Sequence, residues 1–260
     1  MNILVPVKQA GHLPDDFVLE DGARPAPEAL EWRLNEWDER ALETALGLVE
    51  SSGAGEVLVA SVGPVQAEAG LRACLAKGAT RALRVWDDSL ADADALIVAE
   101  LLAALARREQ PDLIVCGVQA SDTAAAATPA ALAGLLDLPR VAAVGGARRE
   151  HDDLLVEREL EGGAVEVLRI GLPALLSVQS TPGRPRQANL RAIKQARSAP
   201  LETLVPGDLD LDEARLREVA GARLVRLSER ARVSGAHMLD GPPVEVAAWI
   251  AAIIAVESPA

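Results

Sequence analysis

The stretch Leu113–Pro139, LIVCGVQASDTAAAATPAALAGLLDLP, carries the signals that decide the fold. Its first residues are apolar and β-branched, which is typical of a strand buried on both faces of a parallel sheet. Gly117, small polar residues and an alanine- and leucine-rich helical segment follow, and Thr128 and Pro129 suit the cap and first position of that helix. Strand, glycine turn and helix start together predict a place where backbone N–H groups face a phosphate. An ordinary strand-to-helix connection has the same local pattern.

The rest of the chain repeats this rhythm and then changes it. Apolar runs at residues 3–7, 57–61 and 82–86 alternate with helical patterns, which predicts a parallel sheet wound in the right-handed sense. We expect Asn35 to cap the first helix. After Pro139, short alternating segments predict antiparallel hairpins, and a further buried strand follows. These segments are residues 141–147, 154–160, 165–170 and 174–178.

Three regions lack a clear strand or helix pattern. We predict a long loop with one hairpin at residues 10–34 and an exposed loop at residues 180–191. An extended linker with a short helix is predicted at residues 192–220. A strongly apolar helix is predicted at residues 244–256. We therefore expect one nucleotide-binding domain at residues 1–191 and a linker with a C-terminal arm at residues 192–260. So apolar a helix either docks on its own domain or packs on another chain, and we expect the arm to pack on a partner subunit.

Composition excludes several classes of function. The 260 residues carry a net charge of −13, whereas nucleic-acid binding needs a basic surface, so no nucleic acid is expected as a partner. Cys74, Cys116 and the three histidines are isolated from one another, so no metal site is expected. No apolar run reaches about 18 residues, so no membrane insertion is expected. The N-terminus leaves no room for a signal peptide, which favours a cytoplasmic location.

The sequence offers no catalytic residues of its own. A nucleophile elbow, a cysteine paired with histidine, a zinc-binding H-E-x-x-H and a Walker loop are all missing from the sequence. We therefore expect a binding or carrier protein rather than an enzyme.

Several motifs together resemble the electron transfer flavoprotein β subunit. The G-V-Q-A-S-D segment after the strand resembles the family's nucleotide loop, and residues 2–8, NILVPVK, resemble its first strand. Further matches, in the family's order, cover roughly residues 1–205 in total. They are the helix start around Asn35, Glu39, Ala41 and Glu43, the VASVGPVQ and LAKGAT segments at 59–66 and 75–80, the LVERELEGG hairpin at 155–163, Leu172–Ala174, Pro185, Arg186, Leu190 and Ile193.

The resemblance implies a fold and a nucleotide site. The fold is α/β and Rossmann-like (adenine nucleotide alpha hydrolase-like), with a mostly parallel sheet, antiparallel edge hairpins and an extended C-terminal arm. The family's β subunit binds AMP, while FAD is held mainly by its α subunit. The implied AMP contacts are Pro6, Asn35, Glu36, Trp37, Asp38, Val62, Gly117, Gln119, Ala120, Ser121, Asp122, Thr123 and Thr128.

This chain departs from the family in the middle of the loop. Ala124–Ala127 supply no side-chain hydrogen bonds, and Pro129 has no N–H for a phosphate. Binding through the backbone alone, weaker binding and an empty site all stay open. The loop also lacks the G-D-T-A-Q run of relatives that hold a second FAD here, which favours AMP. Asp122 also suits a plain turn cap.

The resemblance also implies docking residues. The loop at residues 180–190 corresponds to the family's recognition loop for flavin dehydrogenases, where a leucine is the anchor. That position is Pro182 here, and Arg184 and Arg186 remain basic, although solvated surface arginines would look the same. Arg158 corresponds to an arginine facing the flavin domain, where it could pair with the partner subunit. An edge strand with outward charges is the alternative.

These features together lead to one interpretation and two alternatives. The chain resembles the β subunit of a heterodimeric electron transfer flavoprotein, which implies electron transfer from dehydrogenases to electron transfer flavoprotein–quinone oxidoreductase. One alternative is a stand-alone adenine-nucleotide-binding regulatory protein of the universal-stress type, which has no use for a docking loop and an apolar terminal helix. The other is an electron-bifurcating relative with a second FAD.

Overall fold

The computed structural model describes residues 1–14, 25, 27–225 and 238–257. The chain forms two compact units, residues 1–226 and residues 227–260. The first unit contains all the strands of the described residues and all but one of their α-helices. The second contains one described helix.

Eleven strands lie in the described part of the chain, and their ranges are as follows. They are β1 (Asn2–Pro6), β2 (Gln9–His12), β3 (Glu31–Leu34), β4 (Glu56–Val62), β5 (Arg81–Val85), β6 (Leu113–Gly117), β7 (Arg140–Glu150), β8 (Asp153–Glu159), β9 (Val165–Ile170), β10 (Ala174–Val178) and β11 (Glu202–Leu204).

From β3 to α4, strands and α-helices alternate along the described chain. They are α1 (Glu36–Ser52), α2 (Ala67–Lys77), α3 (Ala95–Glu109), α4 (Thr128–Leu135), α5 (Leu190–Ser198), α6 (Glu213–Val219) and α7 (Pro243–Glu257).

A nine-stranded sheet organises the first unit, with the order β11-β5-β4-β1-β6-β10-β7-β8-β9. The strands from β11 to β7 pair in parallel, and β7, β8 and β9 pair as antiparallel hairpins at one edge. This arrangement confirms the predicted mostly parallel α/β sheet with antiparallel edge strands.

Alternating side chains of the central strands build two cores, one on each face of the sheet. Ile3 and Val5 of β1 face α1 and α2, whereas Leu4 packs with α3 and α4 on the opposite face. Strand β6 divides its side chains in the same way, and all of its residues are buried. A strand covered on both faces is a near-continuous apolar run, which is why β6 was recognisable in the sequence.

The region predicted to be a linker belongs to the first compact unit. Strand β11 extends the sheet by pairing in parallel with β5, and α5 packs against α2. Arg72 of α2 donates hydrogen bonds to the carbonyls of Ala196 and Ala199 at the end of α5. The compact unit therefore extends past residue 191, where we expected its boundary. The sequence did not indicate this extension, because β11 is too short and too polar to be recognised as a strand.

Hydrogen-bonded turns or side-chain caps precede helices α2 and α3. Helix α2 begins at Ala67, because Pro64 accepts a hydrogen bond from the Ala67 N–H within a turn. Helix α3 begins at Ala95, where the Asp94 carboxylate accepts from the N–H groups of Leu96 and Ile97. The predicted hairpin within residues 10–34 is confirmed as the antiparallel pair of β2 and β3. Residues 15–24 and 26 of that loop lie outside the described residues.

A nucleotide-loop site at the carboxyl edge of the sheet

The candidate site lies where the order of the sheet reverses. Strand β1 has β4 on one side and β6 on the other, and all three strands are parallel. The segments that follow β1 and β6 therefore leave the sheet side by side at its carboxyl edge. Open α/β sheets bind ligands in this crevice. The loop after β6, residues 117–128, is called the nucleotide loop below.

The Asn35 side chain forms two hydrogen bonds with the nucleotide loop. It is only 2% exposed, its amide nitrogen donates to the Gln119 carbonyl at 2.8 Å, and its amide oxygen accepts from the Ser121 N–H at 3.2 Å. Asn35 stands at the cap position of α1 but makes no side-chain cap hydrogen bond. The predicted cap position is thus confirmed, but the Asn35 side chain bonds the loop instead of the N–H groups of the helix start.

Asp38 is buried at the junction of β1, α1 and β6. Its carboxylate accepts a hydrogen bond from the Lys8 N–H at 2.8 Å. Burial raises the pKa of Asp38 to about 7, although hydrogen bonds from Lys8, Asn35 and Gly117 and the charge of Lys8 oppose that rise. Gly117 allows this close approach, because a Cβ there would lie 2.3 Å from the Asp38 Oδ1.

Two side chains from the segment after β1 reach the far part of the loop. The Lys8 ammonium forms an ion pair with Asp122, with 2.7 Å between Nζ and Oδ1. His12 of β2 lies 3.2 Å from the Ser121 hydroxyl, measured from Nε2 to Oγ. The Lys8 side chain is 43% exposed, so its positive charge remains accessible to an anion.

A tight exposed turn forms the tip of the nucleotide loop. The Ala120 N–H donates to the Ala125 carbonyl at 3.2 Å, and the Ala124 N–H donates to the Ala120 carbonyl at 2.8 Å. Ala124 has φ of 52°, a left-handed conformation that is uncommon outside glycine. Residues 122–127 are all exposed. The alanines thus present backbone groups and methyls, with no polar side chains of their own.

Some of the other predicted nucleotide contacts lie beside the site, and others lie away from it. Pro6 ends β1 beside the site, and Trp37 packs against Gly117, so both lie at the junction. Glu36 is exposed and pairs with Arg40, and Val62 packs in the core on the opposite face of the sheet from α1. Thr128 is the first residue of α4 rather than its cap, and its hydroxyl donates to the Ala95 carbonyl at 3.5 Å.

Lys8 and His12 were not among the predicted site residues. Lys8 closes the V-x-V-K pattern of the first strand, so its position just beyond a central strand end was a usable signal. The role of His12 depends on the β2–β3 hairpin, which brings it beside Ser121. Nothing in the spacing of His12 indicated this contact.

The predicted docking loop is exposed at its tip and held firmly at its base. Pro182 and Arg184 are exposed. Arg186 instead turns back onto α1, where its guanidinium pairs with Glu43 at 3.0 Å and with Glu50 at 2.5 Å. Arg186 therefore anchors the base of this loop within the chain, and its predicted contact with a partner stays a prediction.

Arg186 shifts the protonation of both partners. The hydrogen bond from Arg186 is the largest influence on Glu50 and lowers its pKa. Burial alone would raise the pKa of Glu43, but the hydrogen bonds and charge of Arg186 together lower it. Both carboxylates therefore stay ionised across the neutral pH range, and the ion pairs of Arg186 with Glu43 and Glu50 persist there.

Arg158 also has a partner inside the chain. It lies on β8 opposite Glu166 of β9, and the two side chains form an ion pair. Both side chains are 38% exposed, so the pair remains accessible at the antiparallel edge of the sheet. The predicted contact of Arg158 with a partner subunit stays a prediction.

Neither a metal-ligand cluster nor a membrane-spanning helix occurs in the part of the chain that the structure describes. No group of three or more histidine, cysteine, aspartate or glutamate side chains in residues 1–14, 25, 27–225 and 238–257 is placed to hold a metal ion. Across the same residues, no helix is both long and apolar enough to span a membrane. The expected cytoplasmic location stays a prediction.

The fold and the loop define a class of α/β protein whose ligand site lies at the carboxyl edge of a doubly wound sheet. Residues 26–209 match the electron transfer flavoprotein domain family. The chain is 40% identical over 261 residues to the electron transfer flavoprotein subunit beta of Methylophilus methylotrophus, covering 98% of each chain. It is 31% identical over 261 residues to the subunit beta of Bacillus subtilis (strain 168), covering 99% of each.

A human relative extends the comparison. The chain is 34% identical over 220 residues to the electron transfer flavoprotein subunit beta of Homo sapiens, covering 82% of this chain and 84% of the relative. The chain belongs to the electron transfer flavoprotein family, among its β subunits. The resemblance seen in the sequence motifs is thereby confirmed.

Proposed function

We propose that this chain works in a heterodimer with an electron transfer flavoprotein α subunit that makes most of the contacts to FAD. The heterodimer carries electrons from flavin dehydrogenases to electron transfer flavoprotein–quinone oxidoreductase. Bound FAD supplies the redox chemistry, and the protein supplies shape and electrostatics. Membership of the β-subunit family over nearly the whole chain is the observation that carries this proposal.

AMP is the nucleotide that we assign to the nucleotide loop. The residues present fit it in two respects: Lys8 offers an accessible positive charge, and residues 122–127 present exposed backbone groups. The phosphate would be held by Lys8 and backbone N–H groups, since Ala124–Ala127 add no polar side chains. Helix α4 contributes little, because Pro129 lacks an N–H in its first turn.

The exposed tip of the docking loop is the contact that we propose for dehydrogenases. Pro182 stands where the family has its anchoring leucine, and Arg184 beside it is exposed and basic. A proline fills a pocket less deeply than a leucine, so the partner would differ from one that recognises leucine. Arg158, at the antiparallel edge, is the residue that we propose to face the α subunit.

The apolar helix α7 is the surface that we propose for packing on the α subunit. Trp249 and Ile254 are each 60% exposed, and Ile253 is 48% exposed. A helix that is apolar around its circumference is normally buried, and exposed apolar surface of this kind marks an interaction site. We therefore propose that α7 is the part of the C-terminal arm that binds the α subunit.

The first experiment measures the cofactor content of the complex. The chain is purified with its α subunit, the complex is denatured, and released FAD and AMP are quantified per heterodimer. One FAD and one AMP would support the proposal. Two FAD would indicate a bifurcating relative, and one FAD without AMP would show that the alanine loop leaves the site empty. Failure to form a complex, with AMP or ATP bound by this chain alone, would favour the stand-alone alternative.

A second experiment tests the arm. Trp249→Asp places a charge in the exposed apolar surface of α7, and we expect the heterodimer to dissociate on size-exclusion chromatography. Val65→Asp is the matched control, since Val65 is 63% exposed on the first unit and should leave the heterodimer intact. Equal elution of both variants as heterodimers would refute the role of α7.

A further inference from the structure

Among the described residues, two carboxylates are buried, and they are held in different ways. Glu100 is 5% exposed and pairs with Arg215, with 3.0 Å between the guanidinium and Oε1. Asp38 is 7% exposed and is bound by the Lys8 N–H instead. A buried charge is costly unless it is well hydrogen-bonded, so a carboxylate held mainly by backbone needs a structural reason.

The surroundings of Asp38 indicate that reason. The Lys8 N–H belongs to the residue whose side chain reaches Asp122 in the nucleotide loop. Gly117, the first residue of that loop, lies so close that any larger residue would collide with Asp38 and Trp37. One carboxylate thus touches both backbone segments that carry the proposed phosphate-binding groups.

We propose that Asp38 is a positioning residue of the nucleotide site, and that its buried carboxylate fixes the exit of β1 at Lys8 and of β6 at Gly117. It does so without contacting the nucleotide, since the side chain is covered by these segments. This inference rests on the proposed binding of AMP for its ligand. The positioning of the loop can be measured without any ligand.

Protonation gives Asp38 a signature that a merely space-filling residue lacks. The pKa of Asp38 is raised to about 7 by burial, against the opposing hydrogen bonds and the Lys8 charge. The charge of Asp38 in turn raises the pKa of the buried thiols of Cys74 and Cys116, for which burial is the larger influence. Opening of the loop that exposes Asp38 restores the lower pKa of a solvated carboxyl, so opening releases a proton. A rise in pH through 7 should therefore loosen the loop, and acidification should tighten it.

The test uses the heterodimer with Asp38→Asn, Asp38→Ala and the control Glu100→Gln. Glu100→Gln makes the same acid-to-amide change at the other buried carboxylate, on α3. Amide hydrogen exchange of residues 117–122 is followed without nucleotide, and AMP affinity is measured by calorimetry between pH 6 and pH 8. At pH 6 we expect D38N to exchange about tenfold faster and to bind AMP about tenfold more weakly, corresponding to one lost buried hydrogen bond, since the amide nitrogen of Asn cannot accept from a backbone N–H.

The pH profile separates positioning from general damage. The wild-type advantage over D38N should shrink as the pH rises from 6 to 8, because ionisation of the buried Asp38 carboxyl destabilises only the wild type, while titration of the AMP phosphate affects both proteins equally. Glu100→Gln should match the wild type in both measurements. If D38A does not fold, D38N alone decides.

Each outcome counts for or against a particular statement. If D38N keeps wild-type exchange, affinity and pH dependence, the inference about Asp38 is wrong, and AMP binding by the wild type still stands. If the wild type binds no AMP while D38N loosens residues 117–122 with the expected pH dependence, Asp38 positions the loop and the proposed ligand is wrong.

Discussion

Helix α1 holds two loops, and it holds them by different chemistry. Its first turn grips the nucleotide loop with the buried side chains of Asn35 and Asp38. Its exposed flank grips the docking loop with charges: Arg40 donates to the Gln179 carbonyl at 2.7 Å, and Glu43 and Glu50 pair with Arg186.

The two kinds of contact should differ in how strongly they hold each loop in place. Breaking a buried hydrogen bond leaves a desolvated group without a partner, which costs about 1–3 kcal/mol per group. An exposed ion pair contributes about 0–1 kcal/mol and is screened by salt. The nucleotide loop should therefore respond sharply to mutation and pH, and the docking loop weakly and mainly to salt.

The largest expected effect is the pH dependence of stability that Asp38 causes. Its pKa is about 7 in the folded state against 3.8 for a solvent-exposed aspartate, so the folded state holds an extra proton between these values. The free energy of unfolding must then fall as the pH rises from about 4 to about 7, by up to about 4 kcal/mol. Asp38→Asn removes this term, so D38N should gain on the wild type as the pH rises.

Urea unfolding of wild type and D38N at pH 4.5, 6 and 8 checks this expectation. The measured quantity is the difference in the free energy of unfolding between the two proteins, which cancels other titrating groups. A difference that does not change with pH would mean that Asp38 is not the buried titrating acid that we describe.

The next largest effect is expected at Asn35. Asn35→Ala leaves the Gln119 carbonyl and the Ser121 N–H without their partner, so we expect a loss of about 2–3 kcal/mol in the free energy of unfolding. Asn189→Ala is the control, since Asn189 only caps the exposed start of α5 and should cost about 1 kcal/mol. Equal losses would show that the buried bridge is no stronger than an ordinary cap.

The strands of the site could be predicted from the sequence better than its contacts. Strand β6 was clear because its residues are buried on both faces, and the Gly117 turn followed at once. The partners of Asn35 are 84 and 86 residues away in the sequence, so only the folded sheet brings them together. The cap position of Asn35 could therefore be predicted, but the use of its side chain by the loop could not.

The docking loop shows the same limit. Its exposed tip at Pro182 and Arg184 was recognisable from its proline, glycine and arginine content. The partners of Arg186 lie 136 and 143 residues away on α1, and a lone arginine in a polar loop gives no sign of them. Strand β11 was missed because three residues at a sheet edge carry too little apolar pattern.

Removing the ion pairs of Arg186 with Glu43 and Glu50 should have a smaller effect on the free energy of unfolding. Arg186→Met keeps the aliphatic stem and removes the charge, and we expect a loss of about 1 kcal/mol in the free energy of unfolding. Limited proteolysis at residues 180–190 should accelerate, since the base of the loop is released. Arg186→Lys keeps one charge but not the forked contact with both glutamates, so it should fall between the two.

The Lys8–Asp122 pair provides the smallest effect and the sharpest contrast with Asp38. Both residues belong to the nucleotide loop site, yet the Lys8 side chain is 43% exposed, so the pair should couple by only about 0.5 kcal/mol. A double-mutant cycle of Lys8→Met and Asp122→Asn, measured by urea unfolding at low and high salt, determines that coupling. The coupling should vanish at 1 M salt, where screening acts over about 3 Å. A coupling of several kcal/mol that survives salt would place this pair with the buried anchors and remove the distinction between the two kinds of attachment.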